Sequence, residues 1–302
     1  MRIDQLLVQR GLASTRSQAQ RLIADGVEWL KMELSGEVWK RVAKNGDEVP
    51  EGAKIRLLDD SEARYVSRGG LKLEAALKQV GLSVTGLRCL DVGQSTGGFT
   101  DCLLQAGAQS VVGVDVGSAQ LHPSLRSDAR VLCVESVNAR TLSAMDLVAA
   151  YADSTGAGGQ FEEEAELDDD WGDDDDFEDE GLEPQAKAEA EPVELPPEFA
   201  PPFDLLVADL SFISQTLVLP AAVELLKEGG VLLTLVKPQF ELQPGQVGKG
   251  GIVKDPAMYP IVEQRLRDTC ADLGLEVTHW FDSAIEGGDG NREFFIAARK
   301  AG

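Results

Sequence analysis

Several short apolar runs end in a charged residue. Asp91 falls within Arg88–Val92, Asp115 follows residues 111–114, Asp209 follows 203–208 and Lys237 follows 231–236. Such runs read as strands, and in an open α/β sheet their carboxyl ends share the rim where ligands bind. Glu293 opens a last run, 293–298; if that strand runs antiparallel, its start lies on the same rim. A lysine directly after an apolar run is poorly placed for mere solubility. Lys72, in the helical pattern 71–77, is either the solvent face of its helix or a second amine for the same site. Lysine, aspartate, lysine and glutamate together are what polarising or deprotonating a sugar hydroxyl requires. A sulfonium methyl is an intrinsically good electrophile, so with such a donor the remaining tasks are alignment and proton removal.

The elements that must position these groups are built round residues 90–115, which run strand, glycine turn, helix, strand and acid. That is one half of a doubly wound sheet. The turn holds Gly93, Gly97 and Gly98 with Ser95 and Thr96 between them, and Phe99 opens the helix. Glycines are expected there because a ligand approaching the backbone would collide with a Cβ. The spacing departs from the dinucleotide pattern G-x-G-x-x-G, and Asp91, just before the turn, would repel a pyrophosphate. A carboxylate suits an ammonium, and Asp115 could accept hydrogen bonds from both hydroxyls of a ribose. The pairing points to S-adenosyl-L-methionine over NAD, unless the turn only caps its helix and Asp115 is a solvated strand end. Residues 135–138, beyond a third strand at 131–134, would lie by the adenine. Asn138 and Asp209 complete the expected cofactor set.

At 302 residues the chain has room for a sizeable core and one or two domains. Its net charge of −24 is local: residues 151–202 hold 20 Asp and Glu against one Lys, which carries −19 of the total and leaves −5 elsewhere. An anionic partner is therefore not excluded. Cys89, Cys102, Cys133 and Cys270 lack metal-ligand spacing, and the first three sit in apolar segments, as reduced core thiols do. No metal is expected. The start lacks the apolar stretch of a signal peptide and no run reaches membrane-spanning length, so the expectation is a soluble cytoplasmic protein.

Residues 1–60 read as a small separate module. Asp4 is expected to cap a first helix closed by Gly11, and Thr15-Arg16-Ser17-Gln18 has the form of a capping box for a second. Strand-like pieces follow at 27–30, 37–42 and 54–57. The first 24 residues carry Arg2, Arg10, Arg16 and Arg21 with Asp4 as their one acid, either a solvated face or a phosphate-binding one. Residues 61–86 connect the modules, with Arg68 in a loop before the helix of Lys72. The main domain, 87–302, is interrupted at 153–200 by an acidic, Pro-containing tract too poor in apolar residues to offset its chain entropy, and this reads as disordered. Beyond it come a strand at 203–209, a helix through 226, a strand at 231–236, a glycine-rich loop at 245–251, a helix from Asp255-Pro256 to 272, and strands at 276–281 and 293–298.

The stretch RIDQLLVQRGLASTRSQAQRLIADGV resembles the S-four type RNA-binding domain. Residues 65–298, outside the acidic tract, resemble the FtsJ-like RNA 2′-O-methyltransferases through YVSRGGLKL, DVGQSTGGFTDCLLQAGA, DLSFIS, LVKPQFE and GNREFF. With the amino-terminal module the whole is similar to the TlyA family. The resemblance implies an α/β fold: a Rossmann-like S-adenosylmethionine methyltransferase sheet with a small α+β RNA-binding domain at the amino terminus. It implies a catalytic tetrad of Lys72, Asp209, Lys237 and Glu293, with Lys237 on the ribose 2′-hydroxyl and the other three positioning it. Arg10, Arg16, Arg21 and Arg68 would contact RNA, and the partner would be ribosomal RNA or a ribosomal subunit, with no membrane involved. Gln94 stands where a small residue is expected. Two other readings are a non-catalytic ribosome-binding or assembly factor, against which the intact tetrad argues, and a haemolysin, a label that TlyA-like proteins often carry but that no amphipathic membrane helix supports.

Overall fold

Two sheets, one in each module, organise the chain. The structure, a computed structural model, describes residues 1–13, 15–33, 36–58, 64–156, 193–287 and 290–302. In the first module α1 (Ile3–Gln9) and α2 (Arg16–Gly26) accompany β1 (Val27–Glu33), β2 (Gly36–Arg41) and β3 (Ile55–Leu57), an antiparallel sheet in the order β2-β1-β3. Ile3, Leu6, Leu7, Leu22 and Val27 form its core. Asp4 does not cap α1, whose N-cap is Arg2. It is fully buried instead, and its carboxylate takes Arg2 at 2.9 Å and Arg16 at 2.8 Å. Thr15 caps α2 by accepting from the Gln18 N–H, but the Gln18 side chain turns away from the box and donates to the Tyr65 carbonyl at 3.3 Å. That bond ties the first module to the segment leading into the second, where the Val66 N–H donates to Asp101 at 2.8 Å.

The second module begins with α3 (Arg68–Val80), which Gly81 closes in the left-handed region at φ 66°. There follow β4 (Arg88–Val92), α4 (Gly98–Gln105), β5 (Ser110–Val114), α5 (Pro123–Arg126), β6 (Val131–Val134) and α6 (Ala144–Thr155). The chain continues through β7 (Phe203–Asp209), α7 (Leu219–Glu224), β8 (Leu226–Val236), α8 (Pro238–Glu241), α9 (Met258–Asp272), β9 (Leu275–Asp282) and β10 (Phe294–Lys300). The single helix expected to reach 226 is instead a 3-10 turn, Gln215–Leu217, followed by the short α7. The sheet order is β6-β5-β4-β7-β8-β10-β9, parallel from β6 to β8 and antiparallel on both sides of β10. Strand order reverses between β4 and β7, and the crevice outside their carboxyl ends is where such a sheet takes its ligand. Successive strand residues pack on opposite faces, with Leu90, Val112 and Phe294 in one core and Cys89, Val111 and Phe295 in the other.

Both ends of the segment read as disordered are built into this domain. Residues 153–155 finish α6, and Phe199 is buried with its ring 6.4 Å from that of Tyr151. Arg88, at the start of β4, donates to the carbonyls of Pro197, Ala200 and Pro202, while Ser110, at the start of β5, donates to that of Glu198. The chain therefore re-enters along the amino-terminal rim of the sheet, away from the crevice. The middle of the acidic tract, with Trp171 and Phe177, lies outside the described residues. Among the described residues no helix is long and apolar enough to cross a membrane, and no group of His, Cys, Asp and Glu is arranged to hold a metal ion.

Candidate active site

Lys237 follows β8 at the crevice. Its Nζ lies 2.6 Å from Asp209 Oδ1 and donates to Ser211 Oγ at 2.8 Å. The register explains the meeting: Asp209 pairs with Leu235 across β7 and β8, and Val236 pairs with Phe294 across β8 and β10. Glu293, immediately before β10, thus reaches the rim that Lys237 occupies, as an antiparallel last strand requires. Lys72 arrives from α3 and forms a buried ion pair with Glu293. Burial pushes the Glu293 carboxyl up; Lys72 pulls it back, helped by Lys237, while Asp209 adds to the rise. The four expected side chains are therefore assembled as two adjoining ion pairs. The Lys72–Glu293 pair is the inner one, with side-chain exposures of 9% and 3%, against 13% and 26% for Lys237 and Asp209. Of the two, the outer pair borders a cavity. This cavity, of about 120 Å³, joins it to the glycine turn, lined by Ser67, Gly93, Thr96, Asp209, Ser211 and Lys237 among others.

The glycines of the turn are needed by the protein's own packing as well. A Cβ on Gly93 (φ 85°) would stand 2.7 Å from the Asp209 carbonyl oxygen, and one on Gly97 (φ 94°) 2.4 Å from Leu125. The close approach is made by the protein's own atoms. Ser95 and Thr96 border the cavity, Gly98 begins α4, and Phe99 is a core side chain stacked on Phe295 at 6.3 Å. Asp115 braces the turn: its Oδ2 accepts from the Ser95 N–H at 2.7 Å and its Oδ1 from the Gly117 N–H at 2.8 Å. Asn138 is exposed and caps the 3-10 turn Ala139–Thr141 by accepting from the Arg140 N–H; like Asp91 and Asp115, it lies outside the lining of the cavity.

Asp91 decides whether the turn fits a cationic cofactor. It is fully buried; Oδ2 accepts from Thr100 Oγ1 at 2.7 Å, and Oδ1 has no hydrogen-bond partner. Burial pushes the carboxyl up to about 7, with the Thr100 hydroxyl opposing the rise. A buried carboxylate oxygen without a donor is costly, and an ammonium such as that of S-adenosylmethionine would satisfy it. The donor set therefore fits. The cavity of about 120 Å³ is smaller than the roughly 300 Å³ at which small-molecule sites begin.

The FtsJ-like methyltransferase family model matches residues 65–300, and the S4 domain model matches 1–26. The 16S/23S rRNA (cytidine-2′-O)-methyltransferase TlyA of Mycobacterium tuberculosis is 36% identical over 298 residues, covering 99% of this chain and 89% of that one. The chain belongs to the TlyA family of FtsJ-like methyltransferases. Hemolysin A of Brachyspira hyodysenteriae is 32% identical, with 97% of this chain and 98% of that one covered. A solved structure from Streptococcus thermophilus that bears the name hemolysin is 34% identical, covers 100% of this chain and 88% of its own, and superposes with a TM-score of 0.63.

The TlyA-family S4 domain carries three of the arginines read as RNA contacts, and here the structure qualifies the reading. Arg10 donates to the carbonyls of Glu51 and Ala53, and Arg16 to Asp4, although the Arg16 side chain stays 53% exposed. Arg21 lies half-buried on α2, and Arg68, opening α3, reaches the Glu286 carbonyl at 3.4 Å. At least three of the four thus hold the protein's own atoms. Two site residues were not singled out from the sequence. Ser211, which accepts from Lys237, stands two positions after Asp209 in DLSFIS, a signal that was available. Phe212, three positions after Asp209, is 91% exposed at a positive φ of 64°, its ring 5.1 Å from that of Phe240. Nothing short of the fold separates it from a core aromatic.

Proposed function

We propose that this TlyA-family protein transfers a methyl group from S-adenosyl-L-methionine to the 2′-hydroxyl of a ribose in ribosomal RNA. The carrying observation is the pair of adjoining Lys–carboxylate contacts at the crevice, with the Lys237 amine on the cavity side. The cofactor, when bound, supplies a methyl on a positively charged sulfur. Lys237 would hold the 2′-oxygen through Nζ while Asp209 and Ser211 keep that amine aimed and Lys72 with Glu293 fixes the charge behind it. As the O–CH3 bond forms and the S–CH3 bond breaks, the hydroxyl proton would leave through the Lys237–Asp209 pair to solvent. Near-attack placement and hydroxyl polarisation are the contributions such a reaction needs. Asp91 Oδ1 takes the cofactor's ammonium and Asp115 its ribose hydroxyls, through lone pairs left free by the bonds to Ser95 and Gly117. Ribosomal RNA as the substrate is supported by the printed activity of the M. tuberculosis relative and by the S4 match.

The test is calorimetric titration with S-adenosylmethionine, followed by mapping of ribose methylation on rRNA from subunits treated with the purified protein. Binding and a new 2′-O-methyl position are expected. Binding without methylation of either subunit would favour a non-catalytic platform, and no binding would end the enzyme reading.

A further inference from the structure

Gln94 stands where a small residue was expected, and it is almost completely buried at 4% exposure. Its Nε2 donates to Thr100 Oγ1 at 2.9 Å, and its Oε1 accepts from the Cys133 thiol at 3.4 Å. A hydroxyl carries one proton. Because Thr100 Oγ1 receives a hydrogen bond from Gln94, its own proton is left for Asp91 Oδ2, at 2.7 Å. The result is a directional chain from the thiol on β6 to the carboxylate on β4, passing beneath the glycine turn. It crosses β5 at Gly113, where a Cβ would fall 1.8 Å from Gln94 Nε2. Glycine inside a strand is otherwise a weakness, so the amide accounts for it. The far end of the chain is Asp91 Oδ1, buried and without a partner.

We propose that Thr100 and Gln94 are positioning residues that hold the Asp91 carboxylate, ionised and aimed, for the ammonium of the cofactor. The inference rests on the S-adenosylmethionine reading above. The other charged groups acting on Asp91, Asp209 from β7 and Asp115 from β5, are both acids, and both disfavour its ionisation along with burial. Thr100 opposes all three, through its hydroxyl and its backbone N–H. Burial pushes the carboxyl up to about 7, and the bonds from Thr100 and an arriving ammonium both favour its charged form.

The experiment is S-adenosylmethionine affinity by calorimetry between about pH 5.5 and 8.5, for the wild type and for Thr100→Val, Thr100→Ser, Gln94→Ala and Gly113→Ala. Wild-type affinity should fall as pH falls through about 7. Thr100→Val should weaken binding about tenfold at pH 7 and move the midpoint up by about one unit, the effect of losing a hydrogen bond to a charged group. Thr100→Ser, which keeps the donor, should restore the wild-type profile. Gln94→Ala, and Gly113→Ala, which displaces the amide, should move the midpoint in the same direction by less. A loss of packing alone would lower melting temperature without moving the midpoint. If Thr100→Val does not fold, the Gln94→Ala profile decides. Wild-type binding with unmoved midpoints in the folded variants overturns the chain. No binding by the wild type overturns the cofactor reading, and the chain with it.

Discussion

Among the described residues, Lys237 is the one side chain that touches both the carboxylate and the hydroxyl nearest the cavity, which makes it the sharpest point of attack. Lys237→Ala should leave S-adenosylmethionine affinity within about twofold, because the proposed reading gives cofactor binding to Asp91 and Asp115, and should lower methyl transfer by about a thousandfold, within the range for a positioned acid–base group. Single-turnover rates at saturating cofactor, beside calorimetric affinity, measure both; near-normal turnover in a folded variant would sink the assignment. Phe212 is a different case. A non-glycine residue in the left-handed region stores about 1–3 kcal/mol of strain, and nine-tenths of this ring is open to solvent. Fold stability alone does not account for that combination, whereas an unstacked base would find a face to lie on. Phe212→Ala should cut kcat/KM for rRNA about 10- to 100-fold through lost stacking, leaving cofactor affinity and melting temperature unchanged. An unchanged kcat/KM would show that the ring meets no substrate.

At the scale of elements, α1 and α2 are joined through Asp4. Its hydrogen bond from Arg2 is the largest influence, and with Arg16 it holds the carboxyl well below the usual carboxylate range against the cost of burial. A depressed folded value means that this stabilisation is present above the unfolded pKa of about 3.9 and is lost as pH falls below it. Asp4→Asn should therefore cost about 1–3 kcal/mol at pH 7, the range for a buried group deprived of charge-assisted bonds, and clearly less near pH 2. Denaturant melts of the two proteins at both pH values check the sign. The same bonds bear on RNA. Changing Arg10, Arg16 and Arg21 together to Gln should weaken rRNA binding and flatten its salt dependence, since each phosphate contact releases counterions. The salt slope is the decisive readout, because these arginines also brace the module; a loss of stability with an unchanged slope would confine them to folding.

At the scale of the whole molecule, the acidic tract carries most of the net charge, yet the chain re-enters from it at the rim opposite the crevice, with Phe199 and the Arg88 acceptors built into the domain. Replacing 157–192 with a short Gly/Ser linker should preserve folding and cofactor binding and leave methylation intact, or slightly faster at low salt. Initial rates at two salt concentrations test this, and a large loss of activity at unchanged cofactor affinity would mean that the tract helps organise the substrate. Extending the deletion through Phe199 should instead destabilise the domain by about 3 kcal/mol or more, because a buried aromatic is lost.

What the sequence determined by itself was local. Apolar runs ending in acids, glycine turns and capping residues act over a few positions, and they sufficed for the strands at 88–92, 111–114 and 131–134 and for the sheet edge shared by Asp91, Asp209 and Lys237. The motifs around Lys72 and Glu293 named the remaining members. Tertiary structure alone decided who pairs with whom. Lys72 and Glu293 are 221 residues apart, and only the antiparallel seating of β10 against β8 brings the second within reach of the first. It also turned Asp4 from a cap into a buried hub and Gln18 from half of a capping box into a bridge to Tyr65. Gln94 changed from an oversized residue into a link to Asp91, and the space above Gly93 and Gly97 went to the protein's own atoms. In each case a polar group or a vacant Cβ position offers several partners of equal chemistry. The choice among them is made by burial, which makes an unpaired group expensive and which depends on elements far away in the chain.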